Sequence, residues 1–174
     1  MSLEVRDMVP ADVPATLEIY NELIESTTAA WTERPKTLGE RRAWFAEQCR
    51  RGFPTLVAVD DREVVGMTSY GDFRDSIHWP GYRFTAEHSI HVRDDRRRGG
   101  IGRVLMHELI ARARRNDIHV LVAGIDSDNF DSIRFHEQLG FVEVARLPET
   151  GHKFGRWLDL VLMQHILEEA IEAL

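Results

Sequence analysis

The chain has 174 residues, with 43% hydrophobic and 29% charged side chains. These values suit one soluble globular domain, residues 1–174, and exclude a disordered or collagenous chain. Its 22 basic and 29 acidic side chains leave a net charge of −7, so the average field repels nucleic acid and anionic lipid and neither is expected as a partner. A local basic pocket is still allowed. The single cysteine, Cys49, cannot form an internal disulfide, which points to a reducing compartment. MSLEVRDMVPADVP carries acids and prolines early, and no uninterrupted apolar run is long enough to span a membrane. A cytoplasmic protein is the expectation.

The predicted elements alternate. Leu3 to Arg6 reads as a first strand. Asp12 is placed to cap a helix with Pro14 in its first turn and Val13, Leu17, Tyr20 and Ile24 on one face. Thr37 and Glu40 form a capping-box pattern for a second helix, which would bury Leu38, Phe45 and Cys49. Thr55–Val59 and Glu63–Tyr70 read as strands joined by a tight turn at Asp60-Asp61. A loop from Gly71 to Tyr82 precedes a long strand, Arg83 to Val92. A helix follows the glycine-rich turn, with Ile101, Val104, Leu105 and Leu109 facing inward and basic residues at its negative end. His119–Ile125 is an apolar strand of the doubly buried kind. Asn129–Leu139 is a helix closed by Gly140, and Val142–Arg146 and Trp157–Met163 complete the strands. The fold class is α/β: a mixed sheet with helices on both sides.

The most informative stretch is Arg96-Arg97-Arg98-Gly99-Gly100-Ile101-Gly102-Arg103. Glycines let backbone N–H groups approach a ligand, and the following helix adds a positive dipole end. Arginines beside such a nest complement phosphate oxygens. The pattern favours a bound diphosphate. It is no Walker loop, because no Lys-Ser or Lys-Thr follows, and Leu105 stands where a dinucleotide fingerprint requires glycine or alanine. A surface turn with solvated arginines is the plainer alternative. A nucleic-acid patch is a third, but no aromatic residue interleaves with the arginines to stack bases.

Arg97, Gly100 and Gly102 match the pattern [RQ]xxGx[GA], and Asn129 followed by Leu139-Gly140-Phe141 supplies a second block in the right order. Together they resemble the acyl-CoA signatures of the GNAT N-acetyltransferase superfamily. GDFR at 71–74, TAEHSIHV at 85–92, VAGI at 122–125, KFGRWLDLVLMQ at 153–164 and STTAAWTERP at 26–35 are similar to its phosphinothricin and methionine sulfoximine/sulfone branch. The resemblance covers nearly the whole chain. It implies a sheet whose central strands splay to admit a pantetheine arm, acetyl-CoA as co-substrate, a small amino-acid-like acceptor and a homodimer. Arg98 departs from the glycine usual in that branch, and the loop Asp75–Gly81 is longer.

The resemblance also assigns residues. Glu87 takes the place of the catalytic glutamate. Strand alternation puts it on one face with Ser89 and His91, and Ala86, His88, Ile90 and Val92 on the other. His136 stands where many relatives carry a proton-donating tyrosine, and an imidazole can serve as acid or base near neutrality. On the residues alone, a solvated strand carboxylate and a half-buried helix histidine remain the alternatives. The main chain of Ile90, His91 and Val92 would pair with the pantetheine arm. Arg97, Arg98, Gly99, Gly100, Ile101, Gly102 and Arg103 would surround the diphosphate, and Asn129 and Ser132 would contact the lower pantetheine or the adenosine. For the acceptor, Arg74 suits a carboxylate, with Trp31 and Tyr82 as walls. Lys153 and Arg156 are assigned instead to a dimer surface.

No metal site is expected: His107-Glu108 lacks the second histidine of HExxH, and His88 and His91 fall on opposite strand faces. Cys49 reads as core packing. The implied activity is direct acetyl transfer from acetyl-CoA to the amine of methionine sulfoximine, methionine sulfone or phosphinothricin. The alternatives are acetylation of a protein or peptide amine, and a non-catalytic acyl-CoA-binding module.

Overall fold

The computed structural model describes residues 3–167. Seven strands form one sheet in the order β1-β2-β3-β4-β5-β7-β6. They are β1 (Glu4–Asp7), β2 (Thr55–Asp60), β3 (Glu63–Asp72), β4 (Thr85–Val92), β5 (Val120–Asp126), β6 (Val142–Lys153) and β7 (Arg156–Ile166). Only β4 and β5 run parallel; every other neighbouring pair is antiparallel. The helices are α1 (Val13–Ser26), α2 (Leu38–Arg51), α3 (Ile101–Arg115) and α4 (Phe130–Glu137).

Strand alternation divides the interior between the two faces. Leu56, Ala58 and Val65 join Leu105, Met106 and Leu109 of α3 in the larger cluster. Val57 and Met67 point the other way and meet Val13 of α1 and Phe45 of α2. Thr37 and Glu40 form the expected capping box, with Thr37 Oγ1 accepting from Glu40 N at 3.2 Å and Glu40 accepting from Thr37 N at 2.8 Å. The Asp61 and Arg62 φ angles of 48° and 71° fit the two left-handed positions of a type I′ hairpin turn.

Several expectations are corrected. Asp12 makes no cap bond to its helix; its carboxylate accepts from Val9 N at 2.9 Å and from Arg6 at 2.7 and 2.9 Å. In α1, Ile19 and Leu23 are buried, whereas Leu17 and Tyr20 are only half-buried. In α2, Cys49 is exposed and Leu38 half-buried. The inner face is Arg41, Phe45 and Gln48, because part of this helix covers a polar cavity. Val104 of α3 is exposed, and Met106 and Ile110 take the interior. The last two strands continue well past their expected ends, β6 running through Pro148 to Lys153.

Lys153 is the largest surprise in the fold. It is fully buried, not a surface residue. Its ammonium donates to Ile24 O at 2.7 Å, Thr27 O at 2.6 Å and Ala30 O at 2.8 Å. The β6–β7 hairpin thereby satisfies carbonyls at the end of α1 and pins the segment that follows it. Burial lowers the lysine pKa, while nearby Glu33 acts in the opposite sense. Replacing it with methionine strands three carbonyls, so Lys153→Met is expected to lower unfolding free energy by about 3 kcal/mol. Urea denaturation checks this; a loss below about 1 kcal/mol, the scale of an ordinary surface change, contradicts it.

Candidate active site

The site begins where two strands part. β4 pairs with β3 along its whole length, but with β5 only through Thr85, Ala86 and Glu87, opposite Val120, Leu121 and Val122. β5 remains paired to β7 from Val120 to Asp126. Beyond Glu87, the β4 edge therefore lacks a neighbouring strand. Its peptide groups through Ile90, His91 and Val92 border a gap in which an extended, amide-bearing chain can act as an added strand.

At the far end of β4 the chain turns into α3. Gly100 has φ 82° and ψ −4° at the helix N-cap, and the N–H groups of Ile101, Gly102 and Arg103 precede the first intrahelical donor, Val104 N, which bonds Gly100 O. Arg96 is committed to Asp60 at 2.7 Å, and Arg93 to Asp95 and Glu63 at 2.7 and 3.0 Å. Arg97, Arg98 and Arg103 are exposed or nearly so beside the free N–H groups. Arg97 pairs only with exposed Asp94, at 3.1 Å, and Arg98 stands 3.9 Å from exposed Asp131. Free N–H groups and three arginines are the kind of setting that suits an anion. Gly102 also permits close packing, since a Cβ there would lie 3.3 Å from Phe135. Asn129 caps α4 by accepting from Ser132 N at 3.1 Å.

On the face covered by α1 and α2, a cavity of about 720 Å³ opens. Its wall includes Glu87, Ser89 and His91 of β4, which share a strand face, together with neighbouring His88. Glu87 Oε1 would lie only 3.1 Å from a Cβ on Gly124, so that glycine leaves room for the carboxylate over β5. Loss of water around Glu87 raises its pKa above the ordinary 4.5, the direction a general base working near neutrality needs. Burial lowers His91 to about 4, with Arg41 and Arg97 adding to the effect; it is neutral at pH 7.

Trp31 lines the same cavity. It is held there by the pinned segment after α1 and by Gly151, where a Cβ would approach its ring to 2.1 Å. Phe154 N also donates to Glu33, at 2.9 Å. Arg74 and Tyr82 do not line this cavity; they stack beside Phe73, with the guanidinium 5.6 Å from the Tyr82 ring. The sequence reading missed Arg41, Trp44 and Gln48, which face the cavity from α2. Their i, i+3 and i+7 spacing was a helical signal obscured by polar side chains.

The structure does not bring His136 and Glu87 together. Glu87 and His88 are consecutive on a strand and so face opposite ways, and His136 sits on the His88 side. Its Nε2 lies 3.0 Å from His88 Nε2, and its Nδ1 lies 2.7 Å from Ser132 O. Burial lowers the pKa of both imidazoles, His88 to about 3. Packed on Phe135 and Phe141, His136 belongs to the seam beneath the gap.

The sequence model of the acetyltransferase (GNAT) family matches residues 16–141. The chain belongs to this family. As a GNAT enzyme it is an N-acetyltransferase that uses acetyl-CoA, and the site fits that co-substrate: a strand-like gap for the pantetheine amides and an anion nest for the diphosphate. It is 49% identical over 165 residues to an L-methionine sulfoximine/L-methionine sulfone acetyltransferase of Pseudomonas aeruginosa, covering 94% of each chain. A phosphinothricin acetyltransferase from Sinorhizobium meliloti, solved with acetyl-CoA, superposes with TM-score 0.91 at 34% identity, covering 100% of this chain and 93% of that one. A ribosomal-protein-alanine N-acetyltransferase from Brucella melitensis gives TM-score 0.92 at 47% identity, over 95% and 100%.

Arg98, the departure from the branch pattern, has φ 65°. That left-handed conformation costs a non-glycine residue about 1 kcal/mol. Arg98→Gly is expected to raise unfolding free energy by about that amount, while weakening acetyl-CoA binding slightly through the lost charge. Paired thermal melts and calorimetric titrations check both; a destabilised glycine variant contradicts the strain assignment.

Proposed function

We propose that this GNAT enzyme acetylates the amine of a small amino-acid analogue, of the class of methionine sulfoximine, methionine sulfone and phosphinothricin, by direct transfer in a ternary complex. The observation that carries the proposal is the placement of Glu87, whose carboxylate lines the acceptor cavity and leans over Gly124 beside the strand gap. The substrates named for the Pseudomonas and Sinorhizobium enzymes support the acceptor class. The cavity's aromatic walls and its pinned segment, Ala29–Thr32, favour a compact acceptor over the extended protein tail suggested by the Brucella enzyme's name.

Acetyl-CoA supplies an activated acetyl thioester. The β4 edge at Ile90, His91 and Val92 would hold its amide-bearing arm, and Arg97–Arg103 its diphosphate, with Asn129 and Ser132 flanking. Glu87 takes a proton from the acceptor's ammonium group and exposes the lone pair that attacks. Trp31, Tyr20 and Trp44 line the acceptor cavity, the last two at its Arg41 end. Attack forms the C–N bond and breaks C–S; the second amine proton, lost as the amide forms, goes to the departing thiolate, relayed by His136 once its Nε2 leaves His88. Arg74 and Tyr82 have no place in this acceptor site as the single chain forms it. A homodimer remains part of the proposal, supported by apolar Val142, Val144, Phe154 and Trp157 exposed on the β6–β7 hairpin.

Glu87→Gln is expected to lower kcat by about 10²- to 10⁴-fold with little change in the acetyl-CoA Kd. In the parent enzyme, kcat/KM should rise with pH through a midpoint above 4.5, because the base acts only when deprotonated and burial raises its pKa. That limb should vanish in the variant. Steady-state kinetics of thiol release on methionine sulfone measure both; a variant retaining full turnover removes Glu87 from the reaction.

A further inference from the structure

Arg41 is the most unusual charge in the cavity wall. It projects from α2 and is only 6% exposed. Its guanidinium is stacked between aromatic rings, 3.9 Å from the Trp44 centroid and 5.0 Å from that of Tyr20. Ring faces stabilise the cation but do not replace an acceptor in its plane. Nη2 donates to the Met67 thioether at 2.7 Å, a weak acceptor. Nε is buried with no hydrogen-bond partner.

The nearby carboxylates do not neutralise it. Glu40 is committed to Arg34 and to Thr37, and Asp72 to Arg51 at 2.7 Å and to Ser76 at 2.8 Å. No salt bridge to Arg41 exists among the described residues. Burial drags its pKa down to about 10, yet the group stays cationic at neutral pH. A desolvated guanidinium with an unused donor is destabilising unless a ligand supplies the acceptor.

Its position defines which part of the ligand it meets. Arg41 touches Met67, which is opposite His91 on β4, whereas Glu87 is opposite Gly71. Four residues of strand, roughly 13 Å, separate those two levels. Glu87 leans over Gly124, two residues beyond its own partner Val122 on β5, so its carboxylate stands nearer the Arg41 level than its Cα does. The cavity that joins the two levels gives an amino acid whose amine meets Glu87 room to extend its side chain toward Arg41.

Resting on the acceptor class proposed above, we infer that Arg41 is the specificity-determining residue for the acceptor's far end. It receives the oxygens of a tetrahedral sulfur or phosphorus centre: sulfone, sulfoximine or phosphinate. The planar fork of donors suits two oxygens on one atom. A plain thioether, lacking those oxygens, leaves the donor unsatisfied and binds less well.

The test compares methionine sulfone with methionine as acceptors for the full chain and for Arg41→Gln and Arg41→Lys. The parent enzyme should prefer the sulfone, and both variants should lose about tenfold to a hundredfold of that preference in kcat/KM, mainly through the sulfone's KM, with acetyl-CoA affinity nearly unchanged. In the unsubstituted protein, the Arg41 Nε–H resonance should shift on adding methionine sulfone and stay in place on adding methionine. That readout needs no variant to fold. Preserved preference in folded variants, or an unmoved Nε–H signal in a parent enzyme that acetylates the sulfone, overturns the Arg41 assignment alone. A parent enzyme that binds acetyl-CoA but acetylates none of these amino acids overturns the acceptor class and this inference with it.

Discussion

The parting of β4 from β5 after Glu87 is the constraint from which the site follows. A strand inside a sheet ordinarily satisfies its peptide groups on both edges, and leaving one edge open is unfavourable unless something replaces the missing neighbour. Here β5 keeps its pairing to β7 from Val120 to Asp126 while its pairing to β4 stops at Val122. The gap is thus built into the pairing pattern. It leads from the Glu87 carboxylate to the free N–H groups of α3, joining reaction centre and diphosphate nest by a single backbone track.

The same strand separates two chemical environments. Residues facing α1 and α2 meet a polar cavity lined by the Glu87 carboxylate and a buried guanidinium. Their immediate neighbours face the α3 side, where His88 and His136 lie against Phe141. This one-residue alternation explains why Glu87 and His136, both singled out by resemblance, do not share a pocket. The cavity itself depends on a distant element. Lys153 and Gly151, on the β6–β7 hairpin, fix the segment that carries Trp31, so hairpin packing and acceptor geometry are coupled.

Much of this was legible in the residues. The α2 capping box and the apolar β5 strand carry local signals, the tight turn falls one residue later than Asp60-Asp61, at Asp61-Arg62, and the glycine-arginine turn opens α3 with free N–H groups. Glu87's face followed from alternation. What stayed hidden depends on partners far away in sequence. Lys153 looks like a surface lysine until three carbonyls of residues 24–30 are brought to it. Arg41 looks like solvent-facing charge on a polar helix, because hydrophobic patterning cannot mark a helix face that lines a cavity. The true inner face of α2 lies one position from that expected at Cys49 for the same reason. The αL backbone of Arg98 was equally unreadable, since arginine gives no sign of it.

Hydrogen exchange with and without acetyl-CoA tests the central claim most directly. Peptides spanning Ser89–Val92 and Gly100–Arg103 should gain protection together, as the open β4 edge acquires a strand-like partner and the α3 N–H groups acquire an anion. Binding that leaves the β4 edge exchanging at its free rate would show that the gap is not where the co-substrate lies.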